Sequence, residues 1–263
     1  MSKKMLIKIA TALVLIAIAL PPLILGGIPL KVLVTVVVAL AAYEIANIQA
    51  EQAKWLTTII NFVAMMAMCI CDIEYFMAIM AIYVTILFIS VLIDEKTTAE
   101  FAAYSFVLVC MIGMALRCVM KFYSFDDDGF LLMIYVAIAT FLCDTGAYFF
   151  GVFFGKHKLI PRVSPNKTWE GSIGGYITGA ITSGLFGLVF IDGLDASLLI
   201  TGALTLPLIA QVGDLGFSSI KRHFGVKDFG SLLPGHGGVL DRVDSLIFCL
   251  MWFHALMILW GIL

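Results

Sequence analysis

Charge is scarce in this chain. Asp, Glu, Lys and Arg make up 13% of its 263 residues and hydrophobic residues 62%, against about 25% and roughly 45–50% in soluble domains; mean hydropathy is +1.08. That balance excludes a soluble globular domain. The net charge of −2 is uninformative as a sum, and no nucleic-acid partner is expected. Paired cysteines are missing too: Cys69, Cys71, Cys110, Cys118, Cys143 and Cys249 lie in or beside apolar segments with no CxxC and no ligand spacing, which describes membrane-buried thiols rather than a redox or zinc site. No GxxxxGK[ST] phosphate loop occurs, no low-complexity tract, and no internal repeat of the kind transporters carry.

What is present is apolar sequence in lengths near the ~20 residues that cross a hydrocarbon core. Hydropathy and breakers predict an all-α, polytopic integral membrane protein with helices at about 5–25, 29–47, 55–72, 75–93, 101–121, 129–150, 172–191, 196–215 and 243–262. Pro21-Pro22 and Gly26-Gly27 with Pro29 separate the first two, Asp94-Glu95-Lys96 the fourth and fifth, and Asp126-Asp127-Asp128-Gly129 the fifth and sixth. The first segment follows Lys3, Lys4 and Lys8 but has no small-x-small cleavage signal, so it is expected to be a retained helix. With the N-terminus in the cytoplasm, 13 of the 16 Lys and Arg fall inside, leaving only Lys31, Arg117 and Lys121 outside. This bias predicts a multi-pass protein of the plasma or inner membrane. Two polar loops, about 151–171 and 216–242, then face the cytoplasm, where nucleotides are. Residues 1–125 read as transmembrane scaffold, with Glu44, Asp72 and Glu74 as interface or packing features. Residues 126–263 read as the working half.

The charge that exists is concentrated. Asp214 closes the eighth span, and if the helix continues, Asp214, Ser218 and Lys221 share one stripe: a carboxylate, a hydroxyl and an ammonium suited to a metal and the phosphate it binds. The alternative is an Asp and a Lys solvating each other at a helix end. Asp241 and Asp244, three apart at the start of the ninth span, share a face and could chelate hard cations; acidic residues also complement a helix N-terminus. Between these lie Lys221-Arg222, Lys227-Asp228, the turn Gly235-His236-Gly237-Gly238, whose glycines admit an anion to the backbone, and Arg242. In the other loop Ser164, Lys167 and Thr168 precede the seventh helix, whose N-terminus favours anions, with Glu170 a further candidate. Lys156, Lys158 and Arg162 fit the positive-inside bias alone. Asp144, an ionisable group inside a span, is expected to face the bundle interior.

Carboxylates for hard cations, several Lys and Arg, and Ser/Thr hydroxyls describe phosphoryl or nucleotidyl transfer, and the place at the membrane surface suggests one lipid and one soluble substrate. A transporter using buried carboxylates is the reading of another class; the one-sided charge and the missing repeats weigh against it.

The stretch Ser218–Asp244, Ser-x-Ile-Lys-Arg, four residues, Lys-Asp-x-Gly, then Leu-Pro-Gly-His-Gly-Gly-Val-x-Asp-Arg-Val-Asp, resembles the signature of the phosphatidate cytidylyltransferase (CDP-diacylglycerol synthase) family. Asp144-Thr145-Gly146-Ala147-Tyr148, Ser164-Pro165-Asn166-Lys167-Thr168-x-Glu170-Gly171 and Gly213-Asp214 look like it as well. The likeness covers about residues 140–245. The resemblance implies conversion of CTP and phosphatidate to CDP-diacylglycerol and pyrophosphate. It implies metal ligation by Asp214, Asp241 and Asp244, with Asp144 beside them. Phosphate handling falls to Lys221, Arg222, Lys227, His236 and Arg242, and nucleotide or headgroup contact to Ser164, Lys167, Thr168, Ser218, Gly237 and Gly238. Mg2+, a role for K+, and a homodimer in the bilayer come with the family. CTP-dependent polyprenol or phytol kinases and an ether-lipid enzyme are the nearest rivals.

Overall fold

Apolar runs in a membrane must satisfy their backbone internally, which leaves the helix as the open choice, and helices are what form. The computed structural model describes residues 3–48, 54–124, 129–235 and 237–262. The order is α1 (Lys3–Leu25), α2 (Gly27–Asn47), α3 (Lys54–Ile70), a 3-10 turn (Ile73–Tyr75), α4 (Phe76–Ile93), α5 (Ala99–Phe122), α6 (Gly129–Phe154), β1 (Lys158–Ile160), β2 (Ser164–Thr168), α7 (Trp169–Phe190), α8 (Ala196–His223) and α9 (Leu240–Leu259). Among the described residues seven helices, counting the 3-10 turn with α4, are long and apolar enough to cross a membrane; Ala10–Leu25 and Trp55–Ile70 are shorter apolar stretches. The protein is an all-α polytopic membrane protein.

Three boundaries differ from expectation. Pro21 and Pro22 lie inside α1, and the break falls at Gly26, whose φ of 61° is open to glycine and strained for other residues. Pro29 sits in the first turn of α2, where its missing N–H is no loss. Helices α6 and α8 outrun their hydropathy, to Phe154 and His223, because a helix need not stop where the sequence turns polar. The 151–171 segment contains an antiparallel hairpin, Lys158 opposite Thr168 and Ile160 opposite Ser164. Its first strand is three residues long and its second contains Pro165, so no alternating pattern announces it.

The chain divides into two compact units. The first runs from α1 to Met120 and takes in His223–Val243; the second comprises Lys121–Arg222 and the chain from Asp244 on. The second polar loop thus belongs with the amino-terminal helices, not with the half that follows it in sequence. In the first unit Leu30, Val34, Val38, Ala41, Ala42 and Ile45 bury one face of α2. The Tyr83 hydroxyl donates to Asn61 Oδ1 at 2.8 Å. Arg117 donates to the Met68 and Cys71 carbonyls, where α3 ends with unpaired acceptors.

The second unit rests on small residues. Gly171, Gly175, Gly179, Ser183 and Gly187 recur every fourth position of α7 and are all buried. A Cβ on Gly171 would stand 2.6 Å from the Ala147 carbonyl, on Gly175 2.5 Å from that of Cys143, and on Gly179 2.8 Å from that of Ala139. Two backbones therefore touch along about two turns, the packing that small residues permit between membrane helices. The Tyr135 hydroxyl, fully buried, donates to the Leu199 carbonyl of α8 at 2.5 Å. Asp195 starts α8 by accepting the Ser197 N–H at 2.7 Å, a bond that holds its carboxyl below the usual range. All six thiols are free, five of them buried and Cys71 half-buried.

Candidate active site

Because α8 continues to His223, Asp214, Ser218 and Lys221 do lie along one stripe, and Gln211 extends it by a turn. Gln211, Asp214 and Lys221 each reach another element of the second unit. Lys167, from β2, forms an ion pair with Asp214, and Ser218 Oγ donates weakly to Asp214 Oδ1 at 3.4 Å. Lys221 Nζ stands 3.9 Å from Asp244 Oδ2 on α9. Gln211 Nε2 donates to the Ser172 carbonyl at 3.0 Å, while the Ser172 hydroxyl donates back to Gln211. The two ion pairs differ in setting: the side chains of Lys167 and Asp214 are 28% and 26% exposed, those of Lys221 and Asp244 only 9% and 12%. A pair as buried as the second gains little net stability, since desolvation offsets the attraction. Asp244 Oδ1 also accepts the Ser245 N–H at 2.8 Å.

The hairpin that carries Lys167 is held at its base. Thr168 caps α7, accepting the Gly171 N–H at 3.1 Å. Glu170 accepts the N–H groups of Lys156 and His157 at 3.1 and 3.2 Å and lies 2.6 Å from His157 Nδ1. Ser164 is half-buried, while Lys156, Lys158 and Arg162 are exposed. Asp144 is exposed on α6, whereas its neighbour Cys143 is fully buried, its thiol 3.5 Å from the Pro207 carbonyl. One residue along a helix is a rotation of about 100°, and Cys143 takes the inward position.

In the first unit the glycine turn and the start of α9 are built around two buried carboxylates. Asp241 Oδ2 accepts the N–H groups of Phe229 at 2.8 Å and Gly238 at 3.0 Å. Glu44, on α2 and 1% exposed, accepts the N–H of Val239 at Oε1 (2.7 Å) and of Leu240 at Oε2 (2.9 Å). Gly237 adopts a φ of 86°, and the Leu233 N–H donates to its carbonyl at 2.9 Å. Arg222, in the second unit, and Lys227 and Arg242, in the first, are exposed. His236 lies outside the described residues. Glu44, Gln211 and Ser172 were not among the candidates drawn from sequence. Glu44 had a signal, a lone carboxylate in an apolar run; Gln211 and Ser172 had none beyond their proximity to Asp214 and Thr168.

Among the described residues no three His, Cys, Asp or Glu side chains gather as a metal-binding group. The donors on the stripe are carboxylate and hydroxyl oxygens, the hard ligands that Mg2+ takes, and Mg2+ is commonly held by one or two carboxylates with substrate phosphates and water completing its shell. The residues fit such a cation.

Apolar membrane helices with one mixed-charge stripe of this kind define a polytopic membrane protein that pairs carboxylates with ammoniums on a polar strip. The sequence comparisons sharpen that class. The model of the cytidylyltransferase family matches residues 6–260. The phosphatidate cytidylyltransferase of Staphylococcus haemolyticus (strain JCSC1435) is 35% identical over 263 residues, spanning 97% of this chain and 99% of the relative. That of Staphylococcus aureus (strain COL) is 34% identical over 262 residues with the same coverage, and that of Staphylococcus epidermidis (strain ATCC 12228 / FDA PCI 1200) 32%. The chain belongs to the cytidylyltransferase family.

Proposed function

We propose that this protein joins CTP to phosphatidate, forming CDP-diacylglycerol and releasing pyrophosphate, at the cytoplasmic face of the cell membrane and as a homodimer. The observation that carries the reading is the α8 stripe, where Asp214 and Asp244 are each matched to an ammonium, from Lys167 and Lys221. Near-full-length similarity to relatives named for this activity supports the substrates, and the placement of 13 of 16 Lys and Arg on one side supports the orientation.

A phosphatidate oxygen attacks the α-phosphorus of CTP, a new P–O bond forms, and the bond from the α-phosphorus to the bridging oxygen breaks as pyrophosphate leaves. The nucleophile is an ionised phosphate, so no general base is required. The main obstacle is repulsion between anions, and preorganised cations remove it. Lys167 and Lys221 are anchored by their carboxylates at the stripe and turn to phosphate oxygens when substrate arrives. Arg222, Lys227 and Arg242 add positive charge around the phosphates, and His236 donates to a phosphate oxygen. Ser164, Thr168, Ser218, Gly237 and Gly238 offer hydroxyls and Cβ-free backbone to the nucleotide or headgroup. Asp214 and Asp244 would hold Mg2+, with Asp241 and Asp144 as further ligands and K+ as a second cation. Bound there, the cation would screen the triphosphate and stabilise the leaving pyrophosphate.

Purified protein given CTP, Mg2+ and phosphatidate in mixed micelles should release pyrophosphate and carry cytidine into the lipid. Release of CDP on a polyprenol would instead assign a kinase. Uptake into vesicles without nucleotide turnover would assign a transporter.

A further inference from the structure

Three successive N–H groups open α9, those of Gly238, Val239 and Leu240, and all three point at carboxylates of the protein itself: Asp241 for the first, Glu44 for the other two. A helix N-terminus and a glycine turn form a ready anion site, and here the anion is Glu44. The fit is close on every side. A Cβ on Gly238 would stand 2.6 Å from Glu44 Oε1, and one on Gly230 2.9 Å from the same atom. Both glycines are therefore needed to admit the carboxylate, and Glu44 is 1% exposed once it is there. Burying a carboxylate at this depth is costly unless it is fully hydrogen-bonded. Packing alone does not call for a Glu at a position an apolar residue could fill. What Glu44 does is fix two peptide units directly before Asp241, while Asp241 itself ties down Phe229 and Gly238.

We propose that Glu44 is a positioning residue for cytidylyl transfer: its carboxylate, reaching from α2, clamps the start of α9 and so sets the placing of Asp241. The inference rests on the transfer reaction proposed above. It also assigns the amino-terminal helices a part in the chemistry beyond scaffold. Glu44 touches no reacting atom; it acts through the backbone it holds.

Glu44→Gln tests it. The amide keeps size and one acceptor oxygen but turns an NH2 toward a second N–H. In detergent, amide exchange at Val239 and Leu240 should rise about tenfold while protection elsewhere in α2 and α9 persists. Turnover should fall about 100-fold, the loss expected for a misplacement near 1 Å, with KM for CTP changed less than about threefold. Glu44→Asp, which keeps the charge and shortens the reach by one methylene, should lose turnover in the same sense and carries the test if the Gln variant does not fold. Faster exchange at Val239 and Leu240 with full turnover would overturn the proposal and leave Glu44 as an anchor of the fold only. Unchanged exchange would overturn it at its root. An inactive wild-type protein would count against the transfer reaction instead, whatever the variants do.

Discussion

Two buried carboxylates of the first unit and two carboxylates of the second unit's ion pairs are held by different kinds of partner. In the first unit Glu44 and Asp241 each accept two backbone N–H groups. In the second, Asp214 and Asp244 each face an ammonium on a long side chain. A backbone N–H cannot leave without the fold leaving with it. A lysine can swing from its carboxylate to a phosphate at small cost, because its stem is flexible and its charge is welcome in either place. The first arrangement fixes backbone, and the second can exchange partners.

The sharpest test of that contrast is Asp214→Asn, which should lower turnover about 1,000-fold, on the order of 4 kcal/mol, while thermal unfolding in detergent stays where it was. The pair with Lys167 is partly exposed, and such pairs contribute about 0–1 kcal/mol. A matching fall in stability would erase the distinction. Next comes Asp241. Asp241→Ala strands two buried N–H groups and should cost about 3 kcal/mol of stability, at roughly 1–3 kcal/mol for each buried group left unpaired. Asp241→Asn can keep both bonds through its amide oxygen, so it should stay folded yet lose turnover. Near-normal activity in that variant would remove Asp241 from the metal ligands. Thr168→Ala deletes the α7 cap under the hairpin and should cost about 1 kcal/mol, read as a lower unfolding midpoint. Smallest of all, Lys121→Ala, exposed in the last turn of α5, should move neither stability nor activity by more than about 0.5 kcal/mol. A large loss there would overturn the orientation.

How far each part could be read in advance follows from the range of the interactions that make it. Membrane helices are announced locally, by runs of apolar residues and their breakers, and every expected span has its helix. The Asp214, Ser218 and Lys221 stripe was legible on the single condition that α8 continue, because helical spacing alone sets it. The hairpin was not, since two short strands with a proline carry no periodic pattern. Asp144 was legible as a polar intruder, since an ionisable group inside an apolar span stands out locally. Glu44 was set aside as packing because its partners lie 195 and 196 residues further along, beyond any local pattern.

That separation also bears on how the protein is made. At about 5–20 residues per second of synthesis, α2 leaves the ribosome roughly 10–40 s before residues 239 and 240 exist to receive its carboxylate. Glu44 must spend that interval at the membrane without its eventual partners, so insertion of the amino-terminal helices cannot be the final commitment to the fold. Arrival of α9 completes them. A chain broken anywhere before Val239 lacks both N–H groups that its second helix needs to satisfy Glu44.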